Sequence, residues 1–225
     1  MNKPLIYPVI HQLTPELSLQ QADLAFECGA DGVFLISHTC DNLALLPVAR
    51  KIKHKYPYNK IGINLLGHDT MDTIDLAMEY FIDMVWFDYC GISSSGFTQE
   101  ALRIDAWKQD HSIIDFDVFA SVAFKYQAPE LNPELAATYA KLIDCIPTTS
   151  GTATGHAPEL AKISSMSKAT DGTLAVASGM DVNNVSEFAP YLSHILVSTG
   201  VSDDFHHINP ELLTEFIKRS RNQLT

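Results

Sequence analysis

The sequence predicts a single α/β domain over residues 1–225, folded as a closed (β/α)8 TIM barrel. Eight apolar runs alternate with helical periods of roughly 10–15 residues, a pattern that is typical of βαβ units. The runs are rich in Val, Ile, Leu and Phe without strict alternation, as expected for a parallel sheet buried on both faces. A length of 225 residues fits one such barrel, and no low-complexity stretch divides the chain.

Each repeat begins with a short apolar run that we interpret as a strand. The predicted strands are Leu5–His11, Gly32–Ser37, Lys60–Leu65, Met84–Tyr89, Ile114–Phe124, Cys145–Ser150, Leu174–Ser178 and Ile195–Ser198. A Rossmann fold is the alternative arrangement of such repeats. It is disfavoured because no GxGxxG motif follows the first strand.

The helices that follow the strands carry recognisable boundary signals. Pro158 suits the first turn of the sixth helix, Asp181 is a good N-cap for the seventh, and Asn209 precedes Pro210 at the start of the last. The predicted helices are Ser18–Cys28, Asp41–Tyr56, Thr70–Phe81 and Thr98–Gln109, with four more starting after Pro133, near Ala157–Pro158, after Asp181 and at Pro210.

The composition restricts the classes of partner. A formal net charge of −12 repels nucleic-acid phosphates and anionic lipids, so neither is expected to bind. No apolar run reaches the roughly 18 residues of a membrane-spanning helix, and no signal peptide is recognised. The four cysteines are scattered without a CxxC pair, which predicts reduced thiols in a cytoplasmic protein. Homo-oligomerisation is plausible for a barrel, but no interface is readable.

Two turns near the end of the chain favour a phosphate site. The seventh strand closes with Ser178-Gly179 and the eighth with Thr199-Gly200. Glycine lets the backbone approach a ligand, and small hydroxyl residues with free N–H groups can surround an anion. Barrels often hold a phosphate at these two loops, so we predict that these four residues bind one. The alternative is a pair of ordinary tight turns.

The loop after the sixth strand could add donors to the same site. It reads Ser-Gly-Thr-Ala-Thr-Gly and leads into a helix, so Thr152, Thr154 and Gly155 are predicted to contribute to phosphate binding. On composition alone, a flexible connection explains this loop nearly as well.

Five polar residues near the strand ends are candidates for catalysis. His11 could polarise a carbonyl group or move a proton, or it could be a hydrogen-bonded rim histidine. Asn64 interrupts an apolar strand, where an amide needs a partner. His68 could act as a general acid or base near neutral pH, and Asp88 as a carboxylate base. Lys125 could pair with a ligand anion, form a Schiff base or face solvent.

Asp69, beside His68, is interpreted more simply as the cap of the third helix.

Neither a metal nor a cofactor is predicted. The nine histidines form no HxH, HxxxH or HExxH motif, and the adjacent pair His206-His207 cannot easily chelate one ion. Mg²⁺ carried by a phosphorylated substrate stays open. FMN is a further alternative, since some barrels hold its phosphate at the same loops, but no flavin-specific feature is readable.

Three segments of the chain together resemble the BtpA family of barrel proteins. They are IGINLLGHD at Ile61–Asp69, SGTATGHAPEL at Ser150–Leu160 and ASGMDVNNV at Ala177–Val185. The family is named for a thylakoid-associated factor needed for photosystem I accumulation, and other members resemble enzymes of sugar metabolism. The ribulose-phosphate-binding barrels are similar in holding phosphate at the seventh and eighth loops.

The sequence departs from the BtpA pattern at several rim positions. Ser37-His38 replace Glu-Asn, Trp86 and Asp88 replace Arg and Asn, Ser121 and Ala123 replace Asp and His, Ser202 replaces Lys, and Gln12–Pro15 replaces a proline-rich loop. The resemblance therefore implies a divergent member with altered chemistry, or one that binds without turnover.

Two functions follow from these observations. The first is an enzyme that acts on a small phosphorylated or sugar-like metabolite in an isomerase- or lyase-type step. The alternative is a non-catalytic binding or assembly factor of the BtpA type. Turnover of a phosphorylated substrate would separate them.

Overall fold

Eight parallel strands close into one barrel. The computed structural model describes residues 3–38 and 41–221. Strands follow one another around the barrel in chain order, and closure comes from β1 pairing with β8, with Leu5 opposite His194. The strands are β1 (Leu5–His11), β2 (Gly32–Ile36), β3 (Lys60–Asn64), β4 (Met84–Phe87), β5 (Asp117–Ser121), β6 (Ile146–Thr149), β7 (Ala175–Ala177) and β8 (His194–Val197). The predicted (β/α)8 TIM barrel is confirmed.

A helix follows each strand. The helices are α1 (Pro15–Glu27), α2 (Leu45–Lys55), α3 (Thr70–Glu79), α4 (Gln99–Asp110), α5 (Pro133–Leu142), α6 (Leu160–Ala169), α7 (Val185–Phe188) and α8 (Pro210–Ser220). Asp69 caps α3, since its carboxylate accepts the N–H groups of Met71 at 2.9 Å and Asp72 at 3.2 Å. Asn209 caps α8, with Pro210 behind it. Both predicted caps are confirmed.

Some predicted boundaries were wrong. Helix α6 begins at Leu160 rather than at Ala157–Pro158, and α7 is a single turn. The Asp181 carboxylate accepts the backbone N–H groups of Asn183 and Asn184. Asp181 therefore stabilises a turn before α7 and is not the N-cap of that helix.

The fifth strand is shorter than the predicted Ile114–Phe124. At its start, the carbonyl of Phe116 accepts the Lys108 ammonium at 2.7 Å. At its end, the backbone carbonyl of Ser121 accepts a hydrogen bond from the side-chain amide of Gln127. Ala123 has a φ of 48°, so the extended backbone ends before it. A two-stranded hairpin, Ile92–Ser93 with Gly96–Phe97, lies between β4 and α4 and was not predicted.

The core has two layers, because successive residues of a strand point to opposite faces. In β2, Val33 and Leu35 pack outward under the helices, whereas Phe34 packs inside the barrel. The interior is filled by rings, with Phe34 edge to face with Phe119 at 5.2 Å between centroids and with Tyr7 at 6.0 Å. The barrel is therefore packed rather than hollow, and open space is left at its mouth.

Among the described residues, no helix combines the length and the apolar character that crossing a bilayer would require.

Candidate functional site

A cavity of about 280 Å³ opens at the carboxyl ends of the strands. Several of the predicted site residues line it: His11, Asp88, Lys125, Thr154, Ser178, Gly179 and Thr199. Residues that carried no sequence motif line it as well, among them Trp86, Ser198 and Phe205. The fold thus brings together residues from the first, fourth, fifth, sixth, seventh and eighth loops.

The loops after β6, β7 and β8 contact one another through main-chain atoms. A Cβ atom added at Gly151 or at Gly179 would overlap the carbonyl oxygen of His156, and one added at Gly200 would overlap that of Met180. We expected Gly179 and Gly200 to make room for a ligand. In the structure the neighbouring loop fills that space, so packing of the loops accounts for both glycines.

Ser178 stands at a strained point of this rim. Its φ is 97°, and that of the following Gly179 is 81°. A serine rarely adopts such a conformation, and residues held this way tend to cluster at functional sites. The Ser178 hydroxyl accepts the N–H of Gly155 at 3.1 Å, which ties the sixth loop to the seventh.

The same rim presents backbone N–H groups. Among the hydrogen bonds of the described residues, none uses the N–H of Gly179, Thr199 or Gly200. The amide of Gly155, in contrast, is taken by Ser178. The seventh and eighth loops therefore hold donors that a bound anion could accept.

Lys125 lies between the fifth and sixth loops. Its backbone N–H donates to Ser150 at 2.8 Å, and its ammonium donates to the hydroxyl of Thr154 at 3.3 Å. Partial burial lowers the pKa of this amine, and the nearby Tyr126 and Asp88 oppose that shift. The cation therefore lies at the cavity wall within reach of a ligand anion.

Asp88 and Asn64 form a pair after β4 and β3. Asn64 is buried, and its amide donates to the Asp88 carboxylate at 3.1 Å. The partner that this strand amide was expected to need is thus a cavity carboxylate. The backbone carbonyl of Asp88 also accepts the side chain of Gln127 at 2.6 Å. These contacts hold the carboxylate at the cavity edge.

Three rings from the first, second and eighth loops pack together at the cavity. The His11 ring stacks on His38 with 5.3 Å between centroids, and Phe205 lies 4.0 Å from His11 and 5.6 Å from His38. We call these three residues the ring wall. His206, next to Phe205, donates from Nδ1 to the backbone carbonyl of His11 at 2.8 Å. A bridge between Ser202 and Ile208 closes the base of this loop.

His11 is neutral at physiological pH. Burial, with lesser contributions from His38, His206 and Lys125, lowers its pKa to about 4. Its buried Nδ1 has no hydrogen-bond partner among the described residues. An uncharged imidazole here packs as an aromatic ring.

The remaining predicted residues lie outside the cavity. His68 is exposed on the loop before α3, Thr152 lines a neighbouring cavity between the fifth and sixth loops, and neither Gly155 nor Gly200 is among the residues that line the cavity. Nothing in the structure assigns His68 a chemical task.

None of the three cysteines that the structure describes lines this cavity. Cys90 and Cys145 are buried, and burial raises the pKa of both thiols. Cys28 is half-buried near the Pro210 carbonyl, and Cys40 lies outside the described residues. In the described part of the chain, no group of three His, Cys, Asp or Glu side chains could hold a metal ion.

Known proteins resemble this chain in fold. No protein-family profile matches it, and no curated protein matches it either. Phosphoribosyl anthranilate isomerase from Thermus thermophilus superposes with a TM-score of 0.68 at 14% identity, covering 97% of this chain and 99% of the other. 3-Keto-L-gulonate-6-phosphate decarboxylase from Vibrio cholerae gives 0.69 at 11% identity, with 100% of both chains covered.

Thiamine phosphate pyrophosphorylase from Pyrococcus furiosus gives a TM-score of 0.64 at 15% identity, covering 100% of this chain and 98% of the other. Identities this low establish a shared barrel and leave the reaction to be argued from the site.

Proposed function

We propose that the chain is an enzyme that acts on a small phosphorylated metabolite in an isomerase- or lyase-type step. The observation that carries this proposal is the cavity itself, which is lined by Gly179 and Thr199, with no bond from either main-chain N–H among the described loop contacts, and by the Asp88 carboxylate that Asn64 holds. The names of all three structural relatives above include a phosphorylated compound or a phosphoribosyl group, which supports a phosphorylated substrate here.

The phosphate is placed against the seventh and eighth loops. The N–H groups of Gly179 and Thr199 donate to its oxygens, and the Ser178 hydroxyl lies beside them. Oriented backbone donors can bind an anion even though the whole chain carries a charge of −12. Lys125 and Thr154 close the anion site from the sixth-loop side. Thr152, Gly155 and Gly200, also predicted as ligands, do not line this cavity, and Gly155 contributes only through its hydrogen bond to Ser178.

The proton-transfer step is assigned to Asp88. The Asn64 amide donates to its carboxylate and fixes its orientation, which suits a group that must accept a proton from a bound substrate. The Lys125 ammonium stabilises negative charge that develops on the substrate. The neutral His11 imidazole, which also lines the cavity, can accept or donate a hydrogen bond to the substrate. This chemistry uses no cofactor.

Turnover and binding of a panel of sugar phosphates and other phosphate esters test this function. We expect product by NMR for at least one compound, and Asp88→Asn should lower its turnover about 100-fold or more while leaving its affinity within a few-fold. Asp69→Asn is the matched control, because asparagine still caps α3. EDTA should leave turnover unchanged.

The same panel separates the competing interpretations. Thr199→Glu, which sets a carboxylate beside the proposed phosphate, should abolish calorimetric binding of every phosphorylated compound. Tight binding without product from any compound would favour a non-catalytic binding protein. Equal affinity of wild type and Thr199→Glu for these compounds would show that the phosphate does not bind at the seventh and eighth loops.

A further inference from the structure

The floor of the mouth cavity is apolar. Val9, Ile36, Ala177 and Leu196 line it, together with the Trp86 ring. The one polar atom of that ring is already used, because the indole N–H donates to the Ser121 hydroxyl at 2.9 Å. A ligand group that reaches this floor gives up its hydrogen bonds to water and finds few replacements there.

The polar groups of the cavity belong to the loops beyond that floor. Lys125, Thr154, Ser178 and Thr199 come from the fifth to eighth loops, where we place the phosphate, and the cavity is also lined by His11, His38, Tyr126 and Ser198. Asp88 stands alone after β4 with its Asn64 partner. A polyhydroxylated sugar chain that lay on the floor would leave hydroxyl groups without partners there, whereas a weakly polar ring would lose little.

The ring wall forms a further part of the cavity lining. Phe205 keeps 44% of its surface exposed although it packs within 4.0 Å of the His11 ring centroid. The contact from His206 to the His11 carbonyl holds this loop over the mouth, so Phe205 stays exposed toward the cavity opening. Flat rings stack or pack edge to face on such a surface more favourably than saturated groups of the same size.

We propose that the ligand joins a phosphate group to a flat aromatic or heteroaromatic ring, and that the ring packs on the apolar floor and the ring wall. This inference rests on the proposed function, since it places the phosphate at the seventh and eighth loops. It narrows the substrate class from phosphorylated metabolites in general to those that carry a planar, weakly polar ring.

Calorimetric titration of the full chain with three probes tests the ring. The probes are ribose 5-phosphate, phenylethyl phosphate and cyclohexylethyl phosphate, with inorganic phosphate as the reference for the anion site alone. We expect phenylethyl phosphate to bind about tenfold or more tightly than ribose 5-phosphate, and about threefold more tightly than its non-planar cyclohexyl counterpart.

A variant localises the effect to the ring wall. Phe205→Ala should weaken the binding of phenylethyl phosphate about five- to tenfold and leave the affinity for ribose 5-phosphate within about twofold of wild type. Phe81→Ala removes a ring that is 66% exposed beyond α3, outside the cavity, and should change neither affinity.

The failures of the two proposals are distinguishable. Ribose 5-phosphate binding as tightly as phenylethyl phosphate would overturn the ring inference and leave the phosphate site standing. An unchanged phenylethyl phosphate affinity in Phe205→Ala would also overturn it. Absence of binding by all four phosphate compounds would overturn the proposed function, and the ring inference with it.

Discussion

The sixth, seventh and eighth loops meet through peptide groups, whereas the ring wall of His11, His38 and Phe205 is formed by side chains. The first arrangement depends on having no side chain at Gly151, Gly179 and Gly200. The second depends on which ring stands at each position. We therefore expect substitutions at the glycines to lower the free energy of unfolding, and substitutions in the ring wall to change which ligands bind.

The largest expected effect comes from alanine at the contact glycines. Gly179→Ala adds a methyl group against the His156 carbonyl at a φ of 81°, and should lower the free energy of unfolding by about 2–4 kcal/mol. Gly155→Ala is the control, since its φ is 78° but no atom lies within 4 Å of the added carbon. It should cost about 1 kcal/mol. Equal losses in urea unfolding would show that loop packing does not matter.

Acid should destabilise the protein through two histidines at opposite ends of the barrel. Burial lowers the pKa of His11 to about 4, and burial with the nearby Lys60 lowers that of His194 to about 4. The unfolded chain binds these protons near pH 6.5 and the folded chain does not. Stability is therefore complete above pH 6.5 and is lost as the pH falls toward 4.

By linkage, each histidine should cost about 2 kcal/mol between pH 7 and pH 5. His194→Phe and His11→Phe should each flatten the pH dependence of urea unfolding, and the exposed His54→Gln should not. A pH dependence that survives in both phenylalanine variants would contradict this account. A difference between the two would show which end of the barrel is more tightly packed.

A smaller loss of stability is expected where Lys162 joins the fifth and sixth loops. The Lys162 ammonium donates to the carbonyls of Ala123 at 2.6 Å and Ser150 at 3.0 Å, and Ala123 has a φ of 48°. Lys162→Met should lower the free energy of unfolding by about 1–2 kcal/mol, because two carbonyls lose a charged donor. Lys168→Met, on the exposed face of the same helix, is the control in thermal unfolding. A similar loss in both would assign the effect to helix α6 as a whole.

The barrel could be predicted from the sequence because each strand and helix is a local pattern. The cap roles of Asp69 and Asn209 could be predicted for the same reason. The fifth strand was predicted too long, since the run Ile114–Phe124 is mostly apolar and its composition does not show that Ala123 has a φ of 48°.

The site was less accessible to sequence reasoning. The loops after the seventh and eighth strands could be singled out because they combine glycine with hydroxyl residues at strand ends. Phe205 could not, since it follows no motif and reaches His11 only through the folding of the last loop. The sequence shows where the glycines stand but not why they are needed, because the close approach of Gly179 to His156 exists only in the folded chain.

The loop that carries Phe205 has a further consequence for how this barrel could diversify. Its base is fixed by the bridge between Ser202 and Ile208, so the ring can be exchanged without moving the strand before it or the helix after it. Selection for a new ligand could therefore proceed by single replacements at position 205, with the strand-end loops that we propose for phosphate left unchanged. Libraries randomised at this position offer the shortest route to altered ligand preference.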